Sequence, residues 1–396
     1  MPELLGARPR VALVAHGIHD HGGMERAFAE LIRRIHRDYE VVVLSTDLGD
    51  EFRGLVEWQR IPAPSRPAPL RFAMFYVVAS ARLARTQADL VHTLGAIVPN
   101  AADLASVHFC TAGYVESVGR LAPPNAPLLR RANTSLARLF FLLAERWTYR
   151  RDRVSRVGAV SRGVARELAR NFPGVQTVLT PNGVDRARFR PDPHARREVR
   201  AELGIPDDEV VTVFVGGDWH GKGLALAITA VAGAARRSSA PIRLLVVGRG
   251  DERRFRGLAH ELGVERRVTF VGQRPDTERY YAASDVFVLP SWYETFSLAA
   301  FEAASSGLPI VAAPVNGVDE LIGDGEAGLI VDRDAKKLAA ALAALASSPD
   351  TRERLGAAAR ERSAEYTWQR STDAVLAVYR SLLDPAPAAS EEAVPA

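Results

Sequence analysis

The stretch from Asp285 to Val331, DVFVLPSWYETFSLAAFEAASSGLPIVAAPVNGVDELIGDGEAGLIV, constrains the fold more than any other part of this chain. Val286 to Leu289 is a short unbroken apolar run stopped by Pro290 and Ser291, the pattern of a strand buried on both faces. Ser297 to Ser306 favour helix, Gly307 suits its C-terminal stop, and Pro309 ends any continuation before the next apolar run, Ile310 to Ala313. Buried strands joined through a helix lie parallel in one covered sheet, so the stretch predicts an α/β architecture.

The loop before that helix carries polar groups at telling positions. The backbone N–H groups of Phe296, Ser297 and Leu298 have no intrahelical partner, and with the helix dipole they form a seat for phosphate. Glu294 lies outside the helix, whereas Glu302, eight residues on, sits more than a turn inside it. Carboxylates accept paired hydrogen bonds from vicinal hydroxyls, so Glu294 suits a sugar at the helix mouth and Glu302 a ribose. The competing reading is a solvated loop Glu and a helix-surface Glu.

The same alternation runs through the whole chain. At 396 residues it is too long for one ordinary core, which predicts two domains. Val11 to Ala15 is a strand, followed by the loop HGIHDHGGMERAF and a helix through Ile35. Gly22 and Gly23 let backbone approach a ligand closely, but this is not a G-x-G-x-x-G fingerprint. His16, His19 and His21 crowd that loop without a supporting carboxylate or cysteine pattern, so no metal site is expected. Glu25 suits either an acceptor hydroxyl or the dipole of the helix it opens. Strands at Val41 to Ser45, Asp89 to Thr93 and Asp103 to His108 follow, and ligands of such sheets bind at the carboxyl ends of the strands, where His108 stands. In the second half, Val210 to Gly216 leads into GGDWHGKG and a helix from Leu224. Lys222 at that helix entrance could neutralise a diphosphate leaving group.

Composition narrows the classes. A single cysteine, Cys110, excludes an internal disulfide and fits a reducing cytoplasm. The N-terminus MPELLGARPR lacks an apolar signal core, and no apolar run approaches the roughly 18 residues of a membrane span, so a cytoplasmic or peripheral protein is expected. Net charge is only +4, which predicts no nucleic-acid partner. Charge is uneven, however: Arg130, Arg131, Arg138, Arg146, Arg150, Arg151, Arg153 and Arg156 surround Leu139 to Leu143 and Trp147. That segment suits either an apolar face laid on anionic lipid with snorkelling arginines, or an amphipathic helix packed on the N-terminal sheet. The tail DPAPAASEEAVPA has a disordered composition.

The element Glu294-x7-Glu302 within PSWYETFSLAAFEAASSGLPIVA resembles the retaining glycosyltransferases of family 4. The resemblance extends from the Gly-Gly loop to the last helix near Trp368. It implies a GT-B fold, two Rossmann-like doubly wound domains facing a cleft, with an acceptor domain at 1–186 and a nucleotide-sugar domain at 187–367. A helix at 368–384 would cross back to the first domain, ahead of a disordered tail at 385–396. It implies transfer of a sugar from a nucleoside-diphosphate sugar to an acceptor hydroxyl, with no cofactor and no metal. Lys222 and the amides of Phe296 to Leu298 would hold the departing diphosphate and Glu302 the ribose, while Glu294 and His108 would orient the sugar. Gly22 and Gly23 would lie near the donor phosphates and acceptor, and Gln273 would meet the nucleobase through backbone. Relatives often carry an arginine at the place of Gly217, leaving phosphate stabilisation here to Lys222, helix amides and Arg249 or another arginine. Asn316-Gly317 stands where Gly-Gly is usual. The acceptor stays open, with a lipid-linked one suited to the Arg-rich segment. The rival functions are a nucleotide-sugar epimerase on the same fold and a non-catalytic sugar-nucleotide sensor or scaffold.

Overall fold

The computed structural model describes residues 8–20, 22–64, 66–119, 121 and 128–384. His21, the tail 385–396 and the side chain of Arg130 lie outside them. The chain divides into two compact units, one comprising Met1–Val160, Ala165–Thr180 and Ser371 onward, the other Ser161–Val164 and Pro181–Arg370. Besides the brief excursion at Ser161–Val164, the crossings fall at Thr180–Pro181 and Arg370–Ser371, where the sequence expects 186–187 and 367–368. Backbone packing moves the first one. Gly183 lies so close to the chain after it that an added Cβ would stand 2.2 Å from the Trp368 amide nitrogen. Val184 also bridges Thr367, so the Asn182-Gly183 turn already belongs to the second unit.

In the first unit the strands are β1 (Arg10–Val14), β2 (Gly17–Ile18), β3 (Glu40–Ser45), β4 (Asp47–Leu48), β5 (Glu57–Arg60), β6 (Leu90–Thr93), β7 (Ala102–Val107), β8 (Val154–Ala159) and β9 (Thr177–Leu179). Among the described residues, seven of them make a parallel sheet in the order β5-β3-β1-β6-β7-β8-β9, with β2 and β4 paired beside it. The helices are α1 (Met24–Ile35), α2 (Ala68–Leu83), α3 (Thr111–Val118), α4 (Leu128–Thr148) and α5 (Arg162–Asn171). Side chains of successive strand residues point to opposite faces, and both faces here are covered. Val11, Leu13, Val41 and Val43 pack with Phe28, Ile32 and Ile35 of α1, while Ala12, Val14, Val42 and Leu44 pack with Phe75, Ala79 and Leu83 of α2.

The second unit holds α6 (Pro193–Glu202), β10 (Val210–Val215), α7 (Leu224–Ala235), β11 (Ile242–Val247), α8 (Glu252–Glu261), β12 (Val268–Gly272), α9 (Thr277–Ala282) and β13 (Val286–Leu289). It continues with α10 (Leu298–Ser305), β14 (Ile310–Ala312), α11 (Val318–Ile322), β15 (Gly328–Ile330), α12 (Ala335–Ala346) and α13 (Pro349–Arg362). Its sheet is again parallel, in the order β12-β11-β10-β13-β14-β15. The chain steps outward from β10 in one direction and from β13 in the other, so the loops after these two neighbours open a crevice at the carboxyl edge of the sheet. The last helix, α14 (Trp368–Leu383), returns to the first unit, where Val375, Val378 and Tyr379 join the core under α1.

Candidate functional site

The two loops of that crevice carry the residues singled out in the sequence. After β10, Gly216 (φ 152°) lets the Lys222 side chain pass close by, since a Cβ would stand 2.4 Å from its Cδ. Gly223 (φ 78°) begins α7 in the left-handed region, against the Pro290 carbonyl. The loops are stitched together where the Trp292 amide donates to the Gly221 carbonyl at 2.9 Å. At this junction the Lys222 ammonium lies 2.7 Å from Oε1 of Glu294, and the Ser291 hydroxyl donates to the same oxygen at 2.9 Å. The sequence assigns Lys222 and Glu294 separate duties; in the fold they form one half-buried ion pair. An ammonium has three donors, so a phosphate oxygen can share Lys222 without displacing Glu294.

The helix that follows starts one residue later than expected. Ser297 is its cap and adopts a left-handed conformation (φ 64°, ψ 79°), the sole positive φ among the described non-glycine residues. Intrahelical bonds begin with Ala300 and Phe301 donating to the Ser297 carbonyl, so the orphan amides are those of Leu298 and its neighbours, and Phe296 lies outside the helix. The Phe296 ring is core, stacked on Phe301 at 3.9 Å. Gly317 allows this: a Cβ there would stand 2.7 Å from Cα of Phe296, which explains why the second glycine of the usual pair is kept although Asn316 replaces the first. The Ser297 hydroxyl is buried without a hydrogen-bond partner. Strained backbone and an orphaned hydroxyl at a helix N-terminus together mark a place kept for a ligand.

Glu302 accepts from the Tyr281 hydroxyl at 3.1 Å. Tyr281 is fully buried, and burial first, then the Glu302 charge, push its pKa well above the ordinary phenol value, so it stays a donor. Sequence reasoning missed Tyr281, since a tyrosine in a short amphipathic helix reads as core. It also missed Arg333, whose guanidinium donates to the carbonyls of Ser291, Trp292 and Pro314 and braces the loop after β13. Gln273 follows β12 and is exposed on the same carboxyl edge, as is Arg249 after β11. Gly217 faces open space: a Cβ added there would have no described atom beyond its chain neighbours within 4 Å.

In the first unit, His108 directly follows β7 and is half-buried. Gly22 (φ 98°) and Gly23 precede α1, with the Glu25 carboxylate folded back over Gly22. Of the loop histidines, His16 and His19 lie among the described residues. The His16 ring, its nitrogens buried, packs on Phe75 (4.3 Å between ring centres) and Phe72, and desolvation lowers its pKa to about 3. No group of His, Cys, Asp or Glu suited to hold a metal ion occurs among the described residues.

Residues 195–362 match the family model described as Glycosyl transferases group 1, and residues 21–188 that of Glycosyltransferase Family 4. The D-inositol 3-phosphate glycosyltransferase of Saccharomonospora viridis is 38% identical over 223 residues, 53% of this chain and 51% of that protein. Its counterpart in Corynebacterium efficiens is 35% identical over 216 residues, 52% of this chain and 49% of that protein. The chain thus spans about half the length of the curated relatives it matches. Among solved structures, WaaG, a glycosyltransferase involved in lipopolysaccharide biosynthesis, aligns over 95% of this chain and 100% of its own with TM-score 0.77 and 22% identity. Sucrose-phosphate synthase from Thermosynechococcus elongatus aligns over 95% and 99% with TM-score 0.75 and 25% identity. HepE from Anabaena, in complex with UDP and glucose, aligns over 94% and 100% with TM-score 0.70 and 18% identity.

Proposed function

Since this chain belongs to the family 4 glycosyltransferases and has the GT-B fold, we propose that it transfers a sugar from a nucleoside-diphosphate sugar to an acceptor hydroxyl with retention of configuration. The observation that supports this reading is the meeting of Lys222 and Glu294 where the loops after β10 and β13 join, ahead of the N-terminus of α10, the helix that carries Glu302. Each has one task. The Lys222 ammonium and the amides of Ser297 and Leu298 take up charge as the diphosphate leaves, which lowers the barrier where negative charge develops. Glu302, oriented by Tyr281, accepts the ribose hydroxyls. Glu294, braced by Ser291 and Lys222, and His108 orient the sugar. Gln273 meets the base through its backbone, and Gly22 and Gly23 let the first unit's backbone come close to donor and acceptor. No cofactor or metal is assigned a task. Donor-dependent release of nucleoside diphosphate across a panel of UDP-, GDP- and ADP-sugars, with wild type beside Glu302→Ala, tests the reading. Release that survives the substitution would sink it.

The curated relatives and the matched family are glycosyltransferases, which does not favour an epimerase. A sensor or scaffold keeps one observation in its favour, the open space at Gly217 where an arginine is frequent. Nucleotide binding without turnover for any acceptor would favour it.

The acceptor we propose is lipid-linked and reached from the surface of an anionic membrane, at its cytoplasmic side. No described helix is long and apolar enough to cross a membrane. The two readings of the Arg-rich segment divide along α4: Phe140 and Phe141 pack on Tyr76 and Phe72 of α2, while Leu136, Leu139, Leu143 and Trp147 form an exposed stripe. Leu70, Met74 and Val77 expose a second stripe on α2, at helical spacing. Between Glu57 and Asp89 the chain has no acidic residue but five arginines, Arg60, Arg66, Arg71, Arg82 and Arg85. Exposed apolar stripes among unneutralised arginines suit anionic lipid. Charge reversal of Arg150 and Arg151 should weaken binding to anionic vesicles and spare donor binding. Unchanged vesicle binding would discard the membrane contact.

A further inference from the structure

Two buried carboxylates of the first unit serve none of these tasks, and they meet at the start of α3. Glu145, near the end of α4 and only 3% exposed, accepts hydrogen bonds from the amides of Thr111 (2.6 Å) and Ala112 (3.1 Å). Glu167 of α5 reaches the same turn, where a Cβ on residue 113 would stand 2.1 Å from its Oε2. The next amide, that of Gly113, is capped locally by the Cys110 sulfur at 3.4 Å. A serine at the cap position would satisfy a helix start without burying charge. Burying a carboxylate carries a desolvation cost that its hydrogen bonds must offset. What the costlier arrangement adds is a tie from α4 to α3 that leaves the chain little freedom between the end of β7 at Val107 and Thr111, and His108 lies in that interval.

We infer that Glu145 is a positioning residue for the transfer reaction, which holds the His108–Cys110 turn, and with it the His108 imidazole, through the amides of Thr111 and Ala112. The inference rests on the reading of His108 given above. The groups facing the carboxylate are the amides and the Thr111 hydroxyl of α3, the Cys110 thiol ahead of it, Glu167 of α5 and Tyr149 just beyond the end of α4. Burial, and to a lesser degree Glu167, lift the Glu145 pKa to about 7 against the pull of the amides. The carboxylate that clamps the turn is therefore complete only above neutrality.

The test measures donor turnover of wild type, Glu145→Gln, His108→Ala and the double variant across roughly pH 5.5 to 9. A glutamine can accept only through its carbonyl and turns a donor towards the second amide. Glu145→Gln should lower kcat about tenfold with donor KM little changed, remove the limb near neutrality from the wild-type profile, and add nothing further in the His108→Ala background. A variant with wild-type kcat and an unchanged pH profile overturns the inference, as do losses that simply add in the double variant. If His108→Ala alone keeps wild-type turnover, it is the reading of His108 that has failed, and the positioning role falls with it. Should Glu145→Gln not fold, amide exchange in the wild type decides: after correction for intrinsic rates, a peptide covering Thr111 to Gly113 should lose protection as pH rises through 7, because ionising the buried carboxylate favours opening of the turn it holds, and protection that does not change with pH refutes the clamp.

Discussion

The most exacting test of how α14 is held concerns Tyr379→Phe. The His92 ring lies between the Tyr379 hydroxyl and the Ser106 hydroxyl, each 2.7 Å from one of its nitrogens, and His92 is 1% exposed. Burial, and then the nearby His108, lower the His92 pKa to about 3, so the ring is neutral throughout the working range, with one donor and one acceptor nitrogen. Tyr379 is itself fully buried in the core beneath α1. Removing its hydroxyl leaves a ring nitrogen buried without a partner and little room for water. The expected loss is about 1–3 kcal/mol, the desolvation cost of one unsatisfied polar group. For a unit of this size that is a fall in melting temperature of roughly 2–12 °C. Urea unfolding followed by circular dichroism gives the free energy, and His92→Phe beside Tyr379→Phe should lose less together than the sum of the two. A change under about 0.5 kcal/mol, or strict additivity, would refute the account of the tie.

Other outcomes follow from single residues. Because the folded pKa of Glu145 is raised, to about 7, its protonated form contributes stability that is fully present below the unfolded value and lost as pH rises through the folded one. Melting temperatures should therefore fall in the wild type relative to Glu145→Gln as pH rises from about 4.5 through neutrality, and parallel curves would contradict the burial cost. Ser297→Gly relieves a left-handed φ of 64° and should raise stability by about 1 kcal/mol in chemical denaturation; a loss of that size would mean the conformation is not strained. Gly217→Arg enters open space at an unstrained φ, so the melting temperature should hold and nucleotide affinity rise in calorimetry; unchanged affinity would deny that position a role beside the phosphates.

Much of this protein is determined by its sequence alone, for a physical reason. Buried parallel strands such as Val286 to Leu289 and Val210 to Val215 must be apolar on both faces, and glycine and proline must stop them, so the alternation shows without coordinates. The Glu294-x7-Glu302 spacing is equally local, because both residues belong to one loop-helix segment. What tertiary structure alone decided is how separate segments meet. Lys222 and Glu294 are paired because β10 and β13 are neighbours at the point where the strand order reverses, which no local pattern records. Ser297 takes the cap position, shifting the helix start by a residue, because Phe296 must reach Phe301 past Gly317. Tyr281 on Glu302, Glu145 on the start of α3 and Tyr379 on His92 likewise join residues 21, 34 and 287 positions apart. Hydrophobic periodicity declares which face of an element is buried, but a hydrogen bond between two buried faces depends on the packing that brings them within about 3 Å, and that is a property of the folded chain.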